Sequence, residues 1–228
     1  MTKNLLITGG AGGLGQAVVK KFVAEGYHLI ATVEKGTQLP QTDNIDVYEL
    51  DATNESDCRK FVKDITEKYK TIDAAILLAG GFAMGGFAET DGEALEKMYK
   101  INFLTAYFLA QPVFEHMLTQ SEGGKIIFIG ARPALQAEAG KNMVAYSLSK
   151  SLIFKLSELM NAAGKSKNVT TTVIVPSTID TPANRKAMPD ADTNKWVKPE
   201  DLAALMAFVC SETGSILREN VLKAYNES

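Results

Sequence analysis

Tyr146 and Lys150 stand four residues apart in the run Tyr146-Ser147-Leu148-Ser149-Lys150. On a helix that spacing places both side chains on one face. A cation held beside a phenol stabilises the phenolate and lowers a pKa that is ordinarily ~10. A tyrosine so paired can exchange a proton near neutral pH. The spacing is common in itself, although Tyr146 is the only tyrosine of the chain with a lysine at that offset. Its meaning depends on what the rest of the chain brings to it.

The second feature is Thr8-Gly9-Gly10-Ala11-Gly12-Gly13-Leu14-Gly15, which follows an apolar run and opens an amphipathic one. Glycines there let the chain turn sharply, bring backbone close to phosphate and pack helix on strand. The free N–H groups of the helix start then face a pyrophosphate. A glycine cluster can be a mere turn; the strand before and helix after favour a dinucleotide.

At the end of the next apolar run, Glu34 can accept both hydroxyls of an adenosine ribose and repel a 2′-phosphate, which leans the reading toward NADH. Lys35 beside it can pair with that phosphate, and Glu34 can equally be a solvated loop charge. Asp51 ends the third run, where it can reach an adenine or serve the turn Asp51-Ala52-Thr53-Asn54.

These residues need a frame. Short runs rich in Ile, Leu and Val at 4–8, 28–33, 46–50, 74–78, 125–130 and 170–175 read as parallel strands buried on both faces. Between them lie helical patterns at 14–25, 55–69, 92–120 (broken near Asn102), 145–163 and 199–211. A last run, 220–225, suits a closing edge strand. The order predicts an α/β fold, a single-domain Rossmann-type doubly wound parallel sheet with helices on both faces, spanning 1–228. Loops at about 80–90 and 177–198 leave the carboxyl ends of strands, where such sheets bind ligands.

Composition excludes several classes. Lys and Arg total 24 against 27 for Asp and Glu, which gives no reason to expect nucleic acid or a membrane surface. Cys58 and Cys210 are far apart, and His28 and His116 have no partner at metal spacing, so we expect reduced thiols and no metal. No apolar stretch is long enough to span a bilayer and no signal peptide opens the chain, so a cytoplasmic location is expected.

Taken together, these motifs resemble the short-chain dehydrogenase/reductase family over nearly the whole chain. Residues 8–15 match its TGxxxGxG turn, Tyr146 and Lys150 its YxxxK pair, Asn102 its active-site asparagine and Asp51 its adenine-side aspartate. The resemblance implies an NAD(P)H-dependent oxidoreductase with catalytic Tyr146, Lys150 and Asn102. Tyr146 would pass the proton, Lys150 would hold the nicotinamide ribose and lower the phenol pKa, and Asn102 would hold a relay water. It implies cofactor contacts at Thr8, Gly9, Gly13, Leu14, Gly15, Glu34, Asp51, Ala79, Gly80, Lys150, Pro176, Ile179 and Thr181. It also implies a small-molecule substrate and a homodimer or homotetramer built on helices at 101–120 and 145–163. Phe108, Leu109, Val113, Phe154 and Leu159 could serve that interface or the core.

The pattern departs in three places. The NNAG stretch is Leu77-Leu78-Ala79-Gly80, the glycine of PGxxxT is Ser177, and the active-site serine is missing where Gly130 and Ala131 stand. The stretches 78–82, 130–135 and 180–192 with Trp196 resemble the dihydropteridine reductase branch, which lacks that serine too. That likeness implies quinonoid dihydropterin as hydride acceptor. Asn102 points away from that branch and toward a carbonyl reductase or alcohol dehydrogenase, while the missing serine also suits a cofactor-binding regulator without turnover. Phe82 and Trp196 are candidate flat walls for a planar substrate, and Trp196 can instead anchor its loop.

Overall fold

A computed structural model describes residues 2–227. The chain runs β1 (Asn4–Thr8), α1 (Gly13–Ala24), β2 (His28–Val33), β3 (Ile45–Glu49), α2 (Glu55–Tyr69), β4 (Ala74–Leu77), α3 (Gly92–Tyr99) and α4 (Thr105–Met117). It continues β5 (Gly124–Ile129), α5 (Ala137–Gly140), α6 (Val144–Gly164), β6 (Val169–Pro176), α7 (Pro182–Ala187), α8 (Pro199–Cys210) and β7 (Asn220–Ala224). The strands form one seven-stranded sheet in the order β3-β2-β1-β4-β5-β6-β7, with every neighbouring pair parallel. The doubly wound parallel sheet expected from the alternation is therefore the fold.

Alternate residues of each strand feed opposite faces. Leu6, Ile30, Ala75, Ile126 and Val173 pack with residues of α2, α4 and α6, while Leu5, Ile7, Leu29, Ile76 and Ile174 pack with residues of α1 and α8. Leu5, Leu6 and Ile7 are wholly buried, and each such side chain contributes about 1.5–3 kcal/mol through its removal from water. The chain order reverses at β1, since β2 lies on one side of it and β4 on the other. That switch point opens a crevice above the carboxyl ends of β1 and β4.

Two stretches differ from expectation. The break expected near Asn102 takes the form of a π-helical turn, Lys100–Leu104, that carries Asn102 and joins α3 to α4, and α4 ends at Met117 rather than at 120. The loop 177–198 is not structureless, because Thr181 caps a short helix, α7, by accepting the Asn184 N–H at 3.2 Å. Pro182 at the first helical position reinforces that start.

Candidate functional site

The crevice begins with the glycine turn. Gly9 sits at φ +66°, and Gly12 N–H donates to its carbonyl at 3.0 Å, closing the bend. A Cβ at Gly15 would stand 2.0 Å from the Gly9 carbonyl oxygen, so only glycine allows the helix to start this close to the strand. At Gly13 a Cβ would come within 2.9 Å of the Thr181 methyl. Helix α1 has no side-chain cap on Gly12 and no acidic residue in its first turn. Its unpaired N–H groups thus remain available to an anion. Leu14 packs against the core formed with α1 and α8.

Thr8, buried at the end of β1, accepts the N–H groups of Leu78 and Ala79 through its hydroxyl at 2.9 and 3.0 Å. That clasp holds Ala79 and Gly80 against the turn. Together these residues line a crevice of about 1030 Å³, with Gly9, Gly12, Ala79, Gly80 and Ile101 at one end and Glu34, Lys35, Glu49 and Asp51 at the other. Asp51 also fills its turn role: its Oδ1 accepts the Thr53 N–H and hydroxyl, and these bonds hold the carboxyl below the usual carboxylate range. The glycine cradle, the uncapped helix start and the long shape of the crevice fit a dinucleotide.

Behind Gly80, which lines the crevice, three elements meet. Lys150, only 7% exposed, donates to the Ile129 carbonyl at 3.0 Å, and burial pulls its pKa down to about 8. Tyr146 lies one turn earlier on α6. The sequence reading has Lys150 lowering the phenol pKa; here burial dominates instead and pushes Tyr146 up to about 12. The ammonium is turned to the strand carbonyl, and the phenol hydroxyl makes no hydrogen bond among the described residues. Asn102 is buried in the π-helical turn. Its Oδ1 accepts the Gly81 N–H at 2.9 Å and its Nδ2 donates to Ser149 Oγ at 3.2 Å. Ser149 Oγ in turn donates to the Tyr146 carbonyl at 2.8 Å. A Cβ at Gly80 would stand 2.7 Å from Asn102 Oδ1 and 3.5 Å from Lys150 Nζ.

Ser149 is not among the residues the sequence singles out, although its place on the Tyr146–Lys150 face follows from helical spacing. Ile101 and Thr105, which also line the crevice, carry no sequence signal because the π-helical turn that aims them has none.

The rims behave differently from each other. Phe82, 60% exposed, sets its ring edge-on to Tyr146 at 5.1 Å between centroids. Trp196 is 5% exposed and offers no open face, so its place in this structure is that of a loop anchor. Pro176 ends β6; Ile179 bridges to Val197 and gives its carbonyl to Asn184 Nδ2 at 2.8 Å. This path carries Thr181 over Gly13. No group of His, Cys, Asp or Glu among the described residues could hold a metal, and no helix among them is long and apolar enough to cross a membrane.

A family model described as short chain dehydrogenase matches residues 3–192. The chain belongs to the short-chain dehydrogenase family. It is thereby an NAD(P)-dependent oxidoreductase. Among curated relatives, the dihydropteridine reductase of Dictyostelium discoideum is 29% identical, over 89% of this chain and 85% of its own length. A 3-oxoacyl-acyl-carrier-protein reductase of Thermotoga maritima is 23% identical, over 96% and 95%. Among solved structures, ElxO with NADP bound superposes with a TM-score of 0.91 at 23% identity, covering 99% of this chain and 98% of its own. That likeness speaks to the fold.

The short-chain dehydrogenase serine has no room to return at position 130. A Cβ on Gly130 would meet Phe154 Cζ and Val173 Cγ1 at 2.9 Å. Ala131 is buried, and Ser147 turns its Oγ toward the Gly140 carbonyl at 3.5 Å.

Proposed function

We propose that this chain is an NADH-dependent reductase of a small planar acceptor, with quinonoid dihydropterin the best-fitting class, and that Tyr146 donates the proton. The observation that carries the reading lies beside Gly80, at the edge of the crevice: a half-buried Tyr146 one turn from the buried Lys150, with the exposed ring of Phe82 edge-on to the phenol and with Gly130 and Ala131 where a second hydroxyl would stand.

When bound, the nicotinamide supplies the hydride. Gly9, Gly13, Gly15 and the α1 start would hold the pyrophosphate; Glu34 and Asp51 would face the adenosine. Ala79, Gly80, Pro176, Ile179 and Thr181 would close around the nicotinamide end. The Tyr146 hydroxyl, kept protonated at neutral pH by burial, is a donor rather than a base, which favours the reductive direction. The Lys150 ammonium, one helical turn from the phenol and held by the Ile129 carbonyl, would offset the charge left on the phenol oxygen once its proton has passed to the acceptor. Asn102 fixes the Gly81 end of the cofactor loop to α6 through Ser149. An acceptor that is already strongly electrophilic needs little polarisation from a second hydroxyl, and Phe82 offers it a flat wall.

Asn102 in its π-helical turn supports a second reading, a carbonyl reductase. A turnover assay with NADH and NADPH against quinonoid dihydropterin and a panel of simple carbonyls separates the two. We expect NADH-driven turnover on the pterin; activity confined to a carbonyl overturns the pterin reading.

A further inference from the structure

Glu49 ends β3 directly across from the end of β2, its partner in the parallel ladder being Val33. One residue beyond Val33 begins the turn 34–37, which Thr37 N–H closes onto the Glu34 carbonyl at 2.9 Å with Gly36 at φ +81°. The Gly36 N–H points across to β3 and donates to Glu49 Oε1 at 3.3 Å. Glu34, Lys35, Thr37 and Glu49 all line the far end of the crevice.

A phosphate bound here would call on backbone N–H groups and on a cation. Lys35 supplies the cation, but the Gly36 N–H already serves a carboxylate of the chain itself. Glu34, Glu49 and Asp51 share this lining with Lys35, so Glu34 alone does not set the local charge. We propose that Glu49 is a specificity-determining residue that excludes a 2′-phosphate from this end of the crevice. It occupies the Gly36 amide as an internal anion and adds its negative charge to those of Glu34 and Asp51. The inference rests on the reading that the adenosine ribose of NADH lies at this end.

The test is the dissociation constant of NADH and of NADPH, read by nicotinamide fluorescence, for the native chain, Glu49→Gln and Glu49→Ala. Removing one nearby charge tightens NADPH about tenfold at low salt, and the gain shrinks as salt is raised. NADH stays within about twofold, a small change on a scale where tenfold is one step. Glu49→Ala, which also frees the Gly36 N–H, gains more than Glu49→Gln. Unchanged NADPH affinity in both variants, or an equal shift for both cofactors, overturns the proposal. Native preference for NADPH would instead overturn the NADH reading, while the variant-to-native ratio for NADPH still judges Glu49.

Discussion

Lys150 carries the clearest conflict between stability and chemistry at the scale of single residues. Its ammonium is buried against one strand carbonyl, and folding lowers its pKa from 10.5 to about 8. The folded chain therefore gives up this proton first, so the cost of burying the charge is fully present below about pH 8 and is relieved as pH rises toward the unfolded value. The gap corresponds to about 3 kcal/mol, an order-of-magnitude figure. Lys150→Met should melt at or above the native temperature at pH 7, with the advantage fading by pH 10, while turnover is lost; a lower melting temperature at pH 7 contradicts this. The same shift sets the pH profile. Tyr146 keeps its proton throughout, so the reductive kcat should fall above about pH 8 as Lys150 loses its charge. A profile flat to pH 10 would show that the ammonium is not needed. The Tyr146–Lys150 spacing was legible in the sequence, but the direction of the phenol shift was not, because burial is a property of the packed crevice.

Helix α1 and strand β5 set limits on substitution that belong to whole elements. Gly15→Ala forces a Cβ onto the Gly9 carbonyl, so the turn and the helix start must separate, at a cost of about 3 kcal/mol or more. NADH affinity should fall with it; a Gly15→Ala chain that binds NADH normally would show that the turn is not the cradle. Gly130→Ser, which restores the family's hydroxyl on paper, drives a side chain into Phe154 and Val173. It should destabilise by about 1–3 kcal/mol without raising kcat, as read by urea unfolding and turnover. Alternating strand and helix patterns made the sheet readable, because parallel strands buried on both faces leave long apolar runs. The break near Asn102 was readable but its π-helical form at Lys100–Leu104 was not, since one extra residue in a turn leaves no mark that tells it from a kink. Helix α7 was hidden for a similar reason: six residues beginning at Pro182 are too few to show a period.

Across the whole molecule, exposed apolar side chains lie on the loop at 80–90, where Phe82, Met84 and Phe87 are exposed, and on the faces of a few helices. Of the candidate interface residues, Leu109 and Val113 are wholly buried and Phe108 and Phe154 pack against the core, leaving Leu159 at 62% exposure. Leu148 and Leu152 are exposed on the same helix, α6. Tyr99 and Tyr107 are exposed around the stacked ring of Phe103. Surfaces of this kind mark association sites, and we propose that α6 meets a second copy of the chain. Sedimentation should find a dimer or tetramer that Leu152→Arg with Leu159→Arg converts to monomer; a monomeric native chain sinks this proposal. Sequence could not apportion these residues, because helical spacing gives a face and not what covers it. The account as a whole stands on one crevice delivering its cofactor to Tyr146. Its most direct test is Tyr146→Phe, with NADH affinity and turnover of quinonoid dihydropterin measured on the same preparation. We predict NADH affinity within about twofold of native and kcat reduced at least about a hundredfold; native-like turnover with intact NADH binding would contradict the proposed proton donor.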